Sequence, residues 1–169
     1  GLIRPVTVQP QYNLLARAIE WEVGPACQAE GLGLLPWSPL GGGWLSGKYR
    51  RDQRPTGDTR LGDDPNRGME AYDRRGTERT WNVIDAVQKV AEDRGVSMAE
   101  VALAWVTARP AVTSTILGAR TLGQLEANLR SARLELTAAE TAALDAASDP
   151  HVADYPYGEL GQEQRSRTL

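Results

Sequence analysis

The sequence predicts an α/β protein with a parallel sheet, and three observations support this prediction. Short β-rich segments alternate with helix-forming segments, which is typical of right-handed parallel crossovers. Several Ser or Thr residues are followed three residues later by Glu or Gln, the pattern of a capped helix start. The 169 residues, 41% hydrophobic and 24% charged, are enough for about one globular domain.

The first two predicted strands are separated by one helix. Residues 5–9 form a short β-rich segment, and residues 32–35 form an apolar run typical of a strand buried on both faces. Residues 22–30, between these segments, contain helix-forming residues. Gly31 follows directly, at the position where a helix end is expected.

Residues 37–76 are rich in glycine and have no sustained hydrophobic period, so we predict a long loop. A loop of this length is either functional or disordered, and its glycine cluster favours a flap that covers a ligand. Over residues 77–94, apolar residues recur every three or four positions, and Gly95 follows as a stop. This periodicity predicts a helix over 77–94.

Three more helices and one strand complete the predicted pattern. Ser97, Thr121 and Thr137 each begin a capping box. Residues 112–117 are β-rich and are closed by Gly118, so the third strand is expected to end directly before a capped helix. Three strands cannot close a barrel or cover both edges of a sheet. Either the chain dimerises through those edges or it is a piece of a larger fold.

Composition argues against several classes of function. The net charge is −3, with no basic stripe, which makes nucleic acid a poor partner. No apolar run reaches the roughly 18 residues of a membrane span, so we expect a soluble cytoplasmic protein. The single cysteine, Cys27, fits a reducing compartment and cannot form an internal disulfide. We expect no metal site.

In parallel α/β folds, ligands lie at the carboxyl ends of the strands. The segments that follow the predicted strands are residues 9–17, 37–48 and 118–128. The second combines Trp37 with a glycine cluster and Lys48, a set that suits a flat, phosphate-bearing cofactor. In the third, Arg120 lies at the amino end of a predicted helix, which favours an anion. A strand, a glycine and a capped helix also form an ordinary corner, so both interpretations stay open.

Three motifs carry a family resemblance. They are Gln9 with Tyr12, Asn13, Leu14 and Arg17; Trp37-Ser38-Pro39-Leu40 running to Gly47-Lys48-Tyr49; and Leu117-Gly118-Ala119-Arg120 with Gln124, Leu125 and Asn128. In this order they resemble the aldo-keto reductase superfamily, especially the branch with bacterial reductases and potassium-channel β subunits. The family's fold is a (β/α)8 barrel of roughly twice this length. The resemblance implies that residues 1–150 are its C-terminal half, with strands 6–8, their helices and a long loop after strand 7. Residues 151–169 would form a tail.

The resemblance implies NADPH-dependent reduction of aldehydes and ketones. Gln9 is similar to the residue that hydrogen-bonds the nicotinamide carboxamide, and Trp37 to the aromatic residue that stacks on the nicotinamide ring. Lys48 is similar to a lysine that contacts phosphate, and Arg60 to an arginine that closes over the pyrophosphate. The positions that line the pyrophosphate are Ser38, Pro39, Leu40, Gly41 and Gly42.

The same resemblance places the adenosine end of the cofactor at the third motif. Gly118, Arg120 and Gln124 correspond to the pocket around the 2′-phosphate and ribose, and Asn128 to the adenine contact. The sequence departs from part of the family at Arg120, where serine is common, and at Ala127, where an acidic residue is found next to the adenine. The preference for NADPH over NADH therefore stays open.

The family's catalytic Asp, Tyr, Lys and His lie on earlier strands, which this sequence lacks. The single histidine is His151, in the tail, and the lysines are Lys48 and Lys89. None of these residues belongs to the catalytic motif. We therefore predict that the chain carries no catalytic residue and is inactive alone. Its partners would be the missing N-terminal half of the barrel, as a separate chain or a lost segment, and a small carbonyl substrate.

Two classes of function remain. In the first, the chain is part of an NADPH-dependent oxidoreductase. In the second, it is an NADP(H)-binding regulatory or structural module, for which occupancy of the cofactor site matters and turnover does not. Other conspicuous residues are assigned to packing because they lie at helical spacing or lack a catalytic partner nearby; these are Tyr12, Cys27, Trp81 and Trp105.

Overall fold

The computed structural model describes residues 3–57, 59–64, 66, 68–152, 154–159, 161 and 163. The strands are β1 (Thr7–Val8) and β2 (Gly33–Leu34). The α-helices are α1 (Val23–Glu30), α2 (Arg60–Asp63), α3 (Tyr72–Arg75), α4 (Glu78–Arg94), α5 (Met98–Thr107), α6 (Leu122–Arg130) and α7 (Ala138–Ala147). Short 3-10 segments cover Ala18–Glu20, Gly41–Ser46, Gly68–Glu70 and Ser131–Arg133. The part of the chain described is thus a helix-rich α/β structure.

The pairing of β1 with β2 is parallel, as predicted. The connecting helix α1 ends at Gly31, whose φ of 67° is the left-handed conformation that favours glycine at a helix end. Both strands are shorter than the predicted segments 5–9 and 32–35. Pro10 and Pro36 directly follow these segments and have no N–H to donate to a ladder, so regular pairing is interrupted there.

The third predicted strand, residues 112–117, lies beside β2 but forms only one parallel bridge, between Leu34 and Val112. The Leu34 N–H donates to the Ala111 carbonyl at 2.7 Å, and the Thr113 N–H donates to the Leu34 carbonyl at 2.9 Å. The prediction is confirmed for the place and direction of this segment. It is wrong for a regular strand, because the segment's hydrogen bonds to its neighbour form one bridge and no continuous ladder.

Helix starts follow the predicted caps. Ser97 and Thr137 form complete capping boxes, each of which contributes about 1 kcal/mol. Thr121 accepts from the Gln124 N–H at 3.2 Å, but the Gln124 side chain accepts from the Arg120 N–H at 2.8 Å. The predicted capping box at Thr121 is therefore incomplete. The Gln124 side chain binds the backbone N–H of Arg120, the residue before the cap, and not that of Thr121.

The hydrophobic core joins residues 12–15 and the connection over 37–76 to the helices α4, α5 and α7. α5 is buried on nearly all of its faces, and its residues 101–106 are at most 5% exposed. Trp81 on α4 and Trp105 on α5 are 5% and 1% exposed, and Cys27 on α1 is 2% exposed. Their assignment to packing is confirmed.

Residues 37–76 are not the structureless loop that the sequence predicts. They contain α2, α3 and two 3-10 segments, and they contribute Trp44 and Leu61, both fully buried, to the core. The Tyr72 ring stacks on the Trp44 ring with centroids 5.5 Å apart. The prediction is wrong because tertiary packing of scattered aromatic residues, rather than any sequence period, stabilises these short turns.

A polar network joins the segment after β1 to α5 and α7. Arg17, 8% exposed, donates from Nε and from a terminal nitrogen to the two Glu20 carboxylate oxygens, both at 2.8 Å. Arg109 donates to the Asp145 carboxylate at 3.0 Å. Both guanidinium groups lie over the Trp105 ring, at 5.3 and 4.7 Å from its centre, an arrangement that favours cation–π attraction. The network fixes the segment that leads away from the first strand end.

The described part of the tail folds back onto the segment after β1. The Tyr157 ring lies against the Trp21 ring with centroids 5.1 Å apart. Residues 153, 160, 162 and 164–169 of the predicted tail lie outside the described residues. Among the helices of the described chain, none combines the length and the apolar character needed to cross a bilayer.

Candidate functional site

The carboxyl ends of the three parallel segments lie side by side. Beyond β1 and β2, Gln11 forms a parallel bridge with Trp37, and the Trp37 N–H donates to the Pro10 carbonyl at 3.0 Å. On the other side, the Ile116 N–H donates to the Pro36 carbonyl at 2.8 Å. The three segments that the sequence singles out therefore begin at one edge of the sheet, as expected for parallel strands.

Gln9 and Trp37, the residues expected to contact a nicotinamide, both lie at this edge. Gln9 directly follows β1 and is exposed. Trp37 is 37% exposed, whereas Trp44, Trp81 and Trp105 are at most 5% exposed. The Trp37 ring thus presents an open face at the strand ends, on which a planar ring can stack.

A strained turn follows Trp37. Ser38 has a φ of 55°, in the left-handed region that residues other than glycine rarely adopt. The buried Asn13 holds this turn, since its Nδ2 donates to the Ser38 carbonyl at 2.8 Å and its Oδ1 accepts from the Leu15 N–H at 2.8 Å. Asn13 belongs to the first motif, but no role was predicted for it, because no local signal shows which distant carbonyl a side chain reaches.

The glycine turn comes next. Gly41, Gly42 and Gly43 have φ values of 55°, 66° and 103°, which explains the need for glycine. A Cβ on Gly42 would lie 3.0 Å from the Cβ and Cγ atoms of Glu70, so the chain also packs closely there. The turn is closed by the Leu40 carbonyl, which accepts from the Gly43 N–H at 3.0 Å. The backbone conformation and the close packing against Glu70 therefore account for these glycines without any ligand.

Glu70 is a buried acid that sequence reasoning missed. It is 8% exposed, and its carboxylate accepts from Gln11 Nε2 at 2.6 Å and from Arg75 Nε at 3.0 Å. Its carbonyl accepts from Trp44 Nε1 at 3.0 Å. Glu70 thus joins the end of the first strand segment, the glycine turn and α3. It lies in a region without hydrophobic period, so no pattern pointed to it.

The buried Tyr49 contacts the glycine turn. Its hydroxyl donates to the Gly42 carbonyl at 3.2 Å. Burial raises the pKa of Tyr49, and the positive charges of Arg60 and Arg120 act to lower that pKa. The adjacent Lys48 is exposed. Among the described residues, neither Lys48 nor Arg60 is paired with an acid.

The turn before α6 gathers the remaining predicted contacts. The Gln124 side chain accepts from the Arg120 N–H at 2.8 Å, and Asn128 Nδ2 donates to the Gly118 carbonyl at 3.5 Å. Asn128 is 6% exposed, whereas Gly118 and Arg120 are exposed. Gln124 and Asn128 therefore fix the path of this turn, and the amino end of α6 lies directly behind it.

Tyr12 is assigned to packing by the sequence, and its surroundings agree. It is 3% exposed, and its hydroxyl donates to Glu20 Oε1 at 2.6 Å. Burial, then the hydrogen bond and charge of Glu20, raise the pKa of Tyr12, against which Arg109 acts. A phenol whose pKa is raised in this way is a poor proton donor near neutral pH.

This environment predicts alkaline sensitivity. The folded state holds the Tyr12 proton more tightly than the unfolded chain, whose tyrosine pKa is about 10. The free energy of unfolding is therefore expected to be fully retained below pH about 10 and to fall as pH rises above it. Urea denaturation at a series of pH values would measure this loss. The Tyr12→Phe variant should show a shallower dependence, and an unchanged slope would contradict the assignment.

The described residues contain no group of three or more His, Cys, Asp and Glu side chains placed to hold a metal ion. His151, the single histidine, is exposed, and its N–H donates to Asp149 Oδ1 at 3.0 Å. Lys89 lies on α4 and pairs with Asp93 at 3.0 Å. Neither residue lies among those that surround the strand ends.

Fold and site together define a parallel α/β protein whose glycine-rich and cationic segments gather at the carboxyl ends of its strands. The model of the Aldo/keto reductase family matches residues 1–149. The chain belongs to this family, whose members are oxidoreductases that typically use a nicotinamide cofactor.

Individual relatives agree with this assignment. The chain is 38% identical over 136 residues to protein tas of Escherichia coli, an alignment that covers 80% of this chain and 38% of the relative. It is 35% identical over 135 residues to a probable voltage-gated potassium channel subunit beta of rice, with 77% and 39% covered. These relatives confirm the predicted branch of the family.

A solved structure shows the same architecture. The chain resembles the glycerol dehydrogenase of Gluconobacter oxydans with a TM-score of 0.69 and 29% identity, over 88% of this chain and 45% of that one. The chain thus spans less than half the length of the relatives that it matches.

Proposed function

We propose that this chain is the C-terminal half of an aldo-keto reductase barrel, with its three strand segments in the sixth, seventh and eighth places. In this proposal, residues 1–150 supply most of an NADPH site, and the whole protein reduces aldehydes and ketones to alcohols. The observation that carries the proposal is the meeting of the three strand segments at one edge, where Trp37 is 37% exposed and is followed directly by the glycine turn.

The residues present suit a dinucleotide with several phosphate groups. At one end, Trp37 offers an open aromatic face and Gln9 an exposed amide at the strand end. In the middle, Lys48 and Arg60 offer cations that no described acid neutralises. When bound, NADPH supplies the hydride that adds to a carbonyl carbon. The protein's part is to hold and orient the ring that delivers it.

In the proposed arrangement, residues 38–42 and Lys48 line the pyrophosphate, with Arg60 over it. Gly118, Arg120 and Gln124 surround the 2′-phosphate, where the amino end of α6 adds favourable backbone dipoles. Asn128 contributes by holding the turn next to the adenine. The proton that completes carbonyl reduction comes from outside this chain, since none of its residues matches the family's catalytic motif.

The exposed surface supports the proposal that further barrel segments pack here. On α6, Leu122, Leu125 and Leu129 form one stripe and are 70%, 39% and 56% exposed. The neighbouring Ile116 is 40% exposed. Apolar residues next to an unpaired strand edge are typical of a surface that another element covers. We propose that the rest of the barrel, on the same polypeptide or another, covers this stripe.

Replacing Arg120 with glutamine tests the cofactor assignment. The affinity for NADPH, measured by calorimetric titration, is expected to fall about tenfold or more, because a charge-assisted contact to the 2′-phosphate is lost. The affinity for NADH, which lacks that phosphate, should not change. The matched control is Lys89→Gln, which removes an exposed positive charge on α4, outside the three segments that follow the strands.

Two results would contradict this proposal. The unaltered chain, assembled with the rest of the barrel, could bind neither dinucleotide. Alternatively, Arg120→Gln could weaken NADPH and NADH equally, which would remove Arg120 from the 2′-phosphate contact.

A second candidate function is an NADP(H)-binding regulatory module without turnover. The observation in its favour is the 35% identity to a probable potassium channel subunit beta. Both candidates predict dinucleotide binding, so titration does not separate them. Turnover by the assembled protein with an aldehyde would favour the reductase, and tight binding without turnover would favour the module.

A further inference from the structure

Glu70 lies between the glycine turn and the end of the first strand segment. A Cβ on Gly42 would lie 3.0 Å from the Cβ and Cγ atoms of Glu70, so this side chain packs directly against the turn. The Glu70 carbonyl accepts from Nε1 of the fully buried Trp44 at 3.0 Å. The turn therefore packs against a residue whose backbone is itself bonded to the core.

The carboxylate of Glu70 binds the first strand segment. Its Oε1 accepts from Gln11 Nε2 at 2.6 Å, and its Oε2 accepts from Arg75 Nε at 3.0 Å. Arg75 also donates from Nη1 to the Leu15 carbonyl at 3.0 Å. The backbone of Gln11 forms the parallel bridge with Trp37. Through its carboxylate, Glu70 is therefore connected to the backbone pair that carries the open Trp37 ring.

The negative charge of Glu70 does not suit direct contact with a phosphate group. Its carboxyl carbon lies 3.9 Å from the Cβ position of Gly42, in the turn proposed to line the pyrophosphate. A carboxylate this close to a phosphate repels it, and the ion pair with Arg75 at 3.0 Å offsets that repulsion. Any gain in binding that Glu70 provides must therefore come from the geometry that it holds and not from its charge.

We propose that Glu70 is a positioning residue that holds the glycine turn and Trp37 in one arrangement. It thereby lets the pyrophosphate and the nicotinamide ring of one dinucleotide bind at the same time. The inference rests on the proposed function and adds to it a residue that touches no ligand. A dinucleotide gains from two contacts only while their separation matches its own length, so loss of a fixed arrangement lowers its affinity. The turn that carries Arg120 is held separately, by the Gln124 side chain and the Thr121 cap.

The test is a Glu70→Gln variant of the full chain, assembled with the rest of the barrel and titrated calorimetrically. Glutamine keeps the size of the side chain, but its NH2 group must face Gln11 Nε2 or Arg75 Nε, both of which are donors. We expect the affinity for NADPH to fall about three- to tenfold and that for 2′-AMP, which reaches only the Arg120 turn, to stay unchanged. A role of Glu70 through charge alone predicts tighter NADPH binding instead, because the variant removes a negative charge beside the pyrophosphate.

A second variant, Gln11→Met, breaks the same connection from the other side and keeps the charge of Glu70. It should weaken NADPH binding by a similar factor and leave 2′-AMP binding unchanged. The double variant should bind NADPH about as well as Glu70→Gln does, because both changes remove one shared hydrogen bond. Factors that multiply in the double variant would overturn the inference. If Glu70→Gln does not fold, the two affinities of Gln11→Met decide the question by themselves.

The matched control is Glu100→Gln. Glu100 is 6% exposed and, like Glu70, accepts from an arginine Nε at 3.0 Å, here that of Arg130. It lies on α5, outside the three segments that follow the strands, so the control should bind both ligands as the unaltered protein does.

Three results separate the possible failures. Unchanged or tighter NADPH binding in Glu70→Gln would overturn the inference and leave the proposed function in place. An equal loss for NADPH and 2′-AMP would also overturn it, since that pattern reports a general loss of structure. Failure of the unaltered protein to bind NADPH would instead refute the proposed function, and this inference with it.

Discussion

Replacing Trp44 with alanine is expected to lower the free energy of unfolding by about 3–5 kcal/mol, the typical cost of removing a buried tryptophan. Trp44 is fully buried, and its ring contacts the rings of Tyr49, Tyr72 and Trp81. Its Nε1 also donates to the Glu70 carbonyl, so alanine leaves both a cavity and an unsatisfied acceptor. Urea denaturation followed by circular dichroism would measure the loss.

Trp37 is the matched control, because it lies in the same connection but is 37% exposed. Trp37→Ala should leave the free energy of unfolding within about 1 kcal/mol of the unaltered value and instead weaken the binding of nicotinamide dinucleotides. The opposite pattern, a large loss for Trp37 and a small one for Trp44, would exchange the roles that the structure gives to the two residues.

The second large effect concerns turnover. We expect this chain alone, mixed with NADPH and an aldehyde, to oxidise no NADPH above the rate in buffer. The reason is that general acid catalysis needs a proton donor with a suitable pKa beside the carbonyl, and Tyr12 is buried with a raised pKa. Fusion to the first half of a related barrel, such as that of protein tas, should restore turnover.

The measurement is the loss of NADPH absorbance with time, with the fusion and the separate chain at equal concentration. Turnover by the chain alone would contradict the prediction that it has no catalytic residue. Dinucleotide binding without turnover in the fusion would support the regulatory module instead.

The helices could be predicted because their signals are local. Thr77 and Gly95 delimit α4, and the boxes at Ser97 and Thr137 begin α5 and α7, where the structure has them. Each of these signals depends on residues within one or two turns of each other. The relative position of the strand ends could also be predicted, since parallel strands with one connecting helix must end at the same edge.

The rest depends on contacts between distant residues. The bonds from Asn13 to Ser38 and from Gln11 to Glu70 join residues separated by 25 and 59 positions. No local spacing encodes such pairs. For the same reason, the sequence could not show that Glu70 packs against the glycine turn and accepts from Trp44 Nε1. The family resemblance supplied the expected roles of the site residues, and the structure supplied the contacts that hold their segments.

The contrast between the open indole of Trp37 and the enclosed indoles of Trp44, Trp81 and Trp105 has a spectroscopic consequence. A collisional quencher such as acrylamide reaches Trp37 far more readily than these three interior rings. A planar molecule seated on Trp37 would shield it, so in a Trp21→Phe variant, which removes the other half-buried indole, the accessible fraction of the emission reports occupancy at the strand ends without any added label.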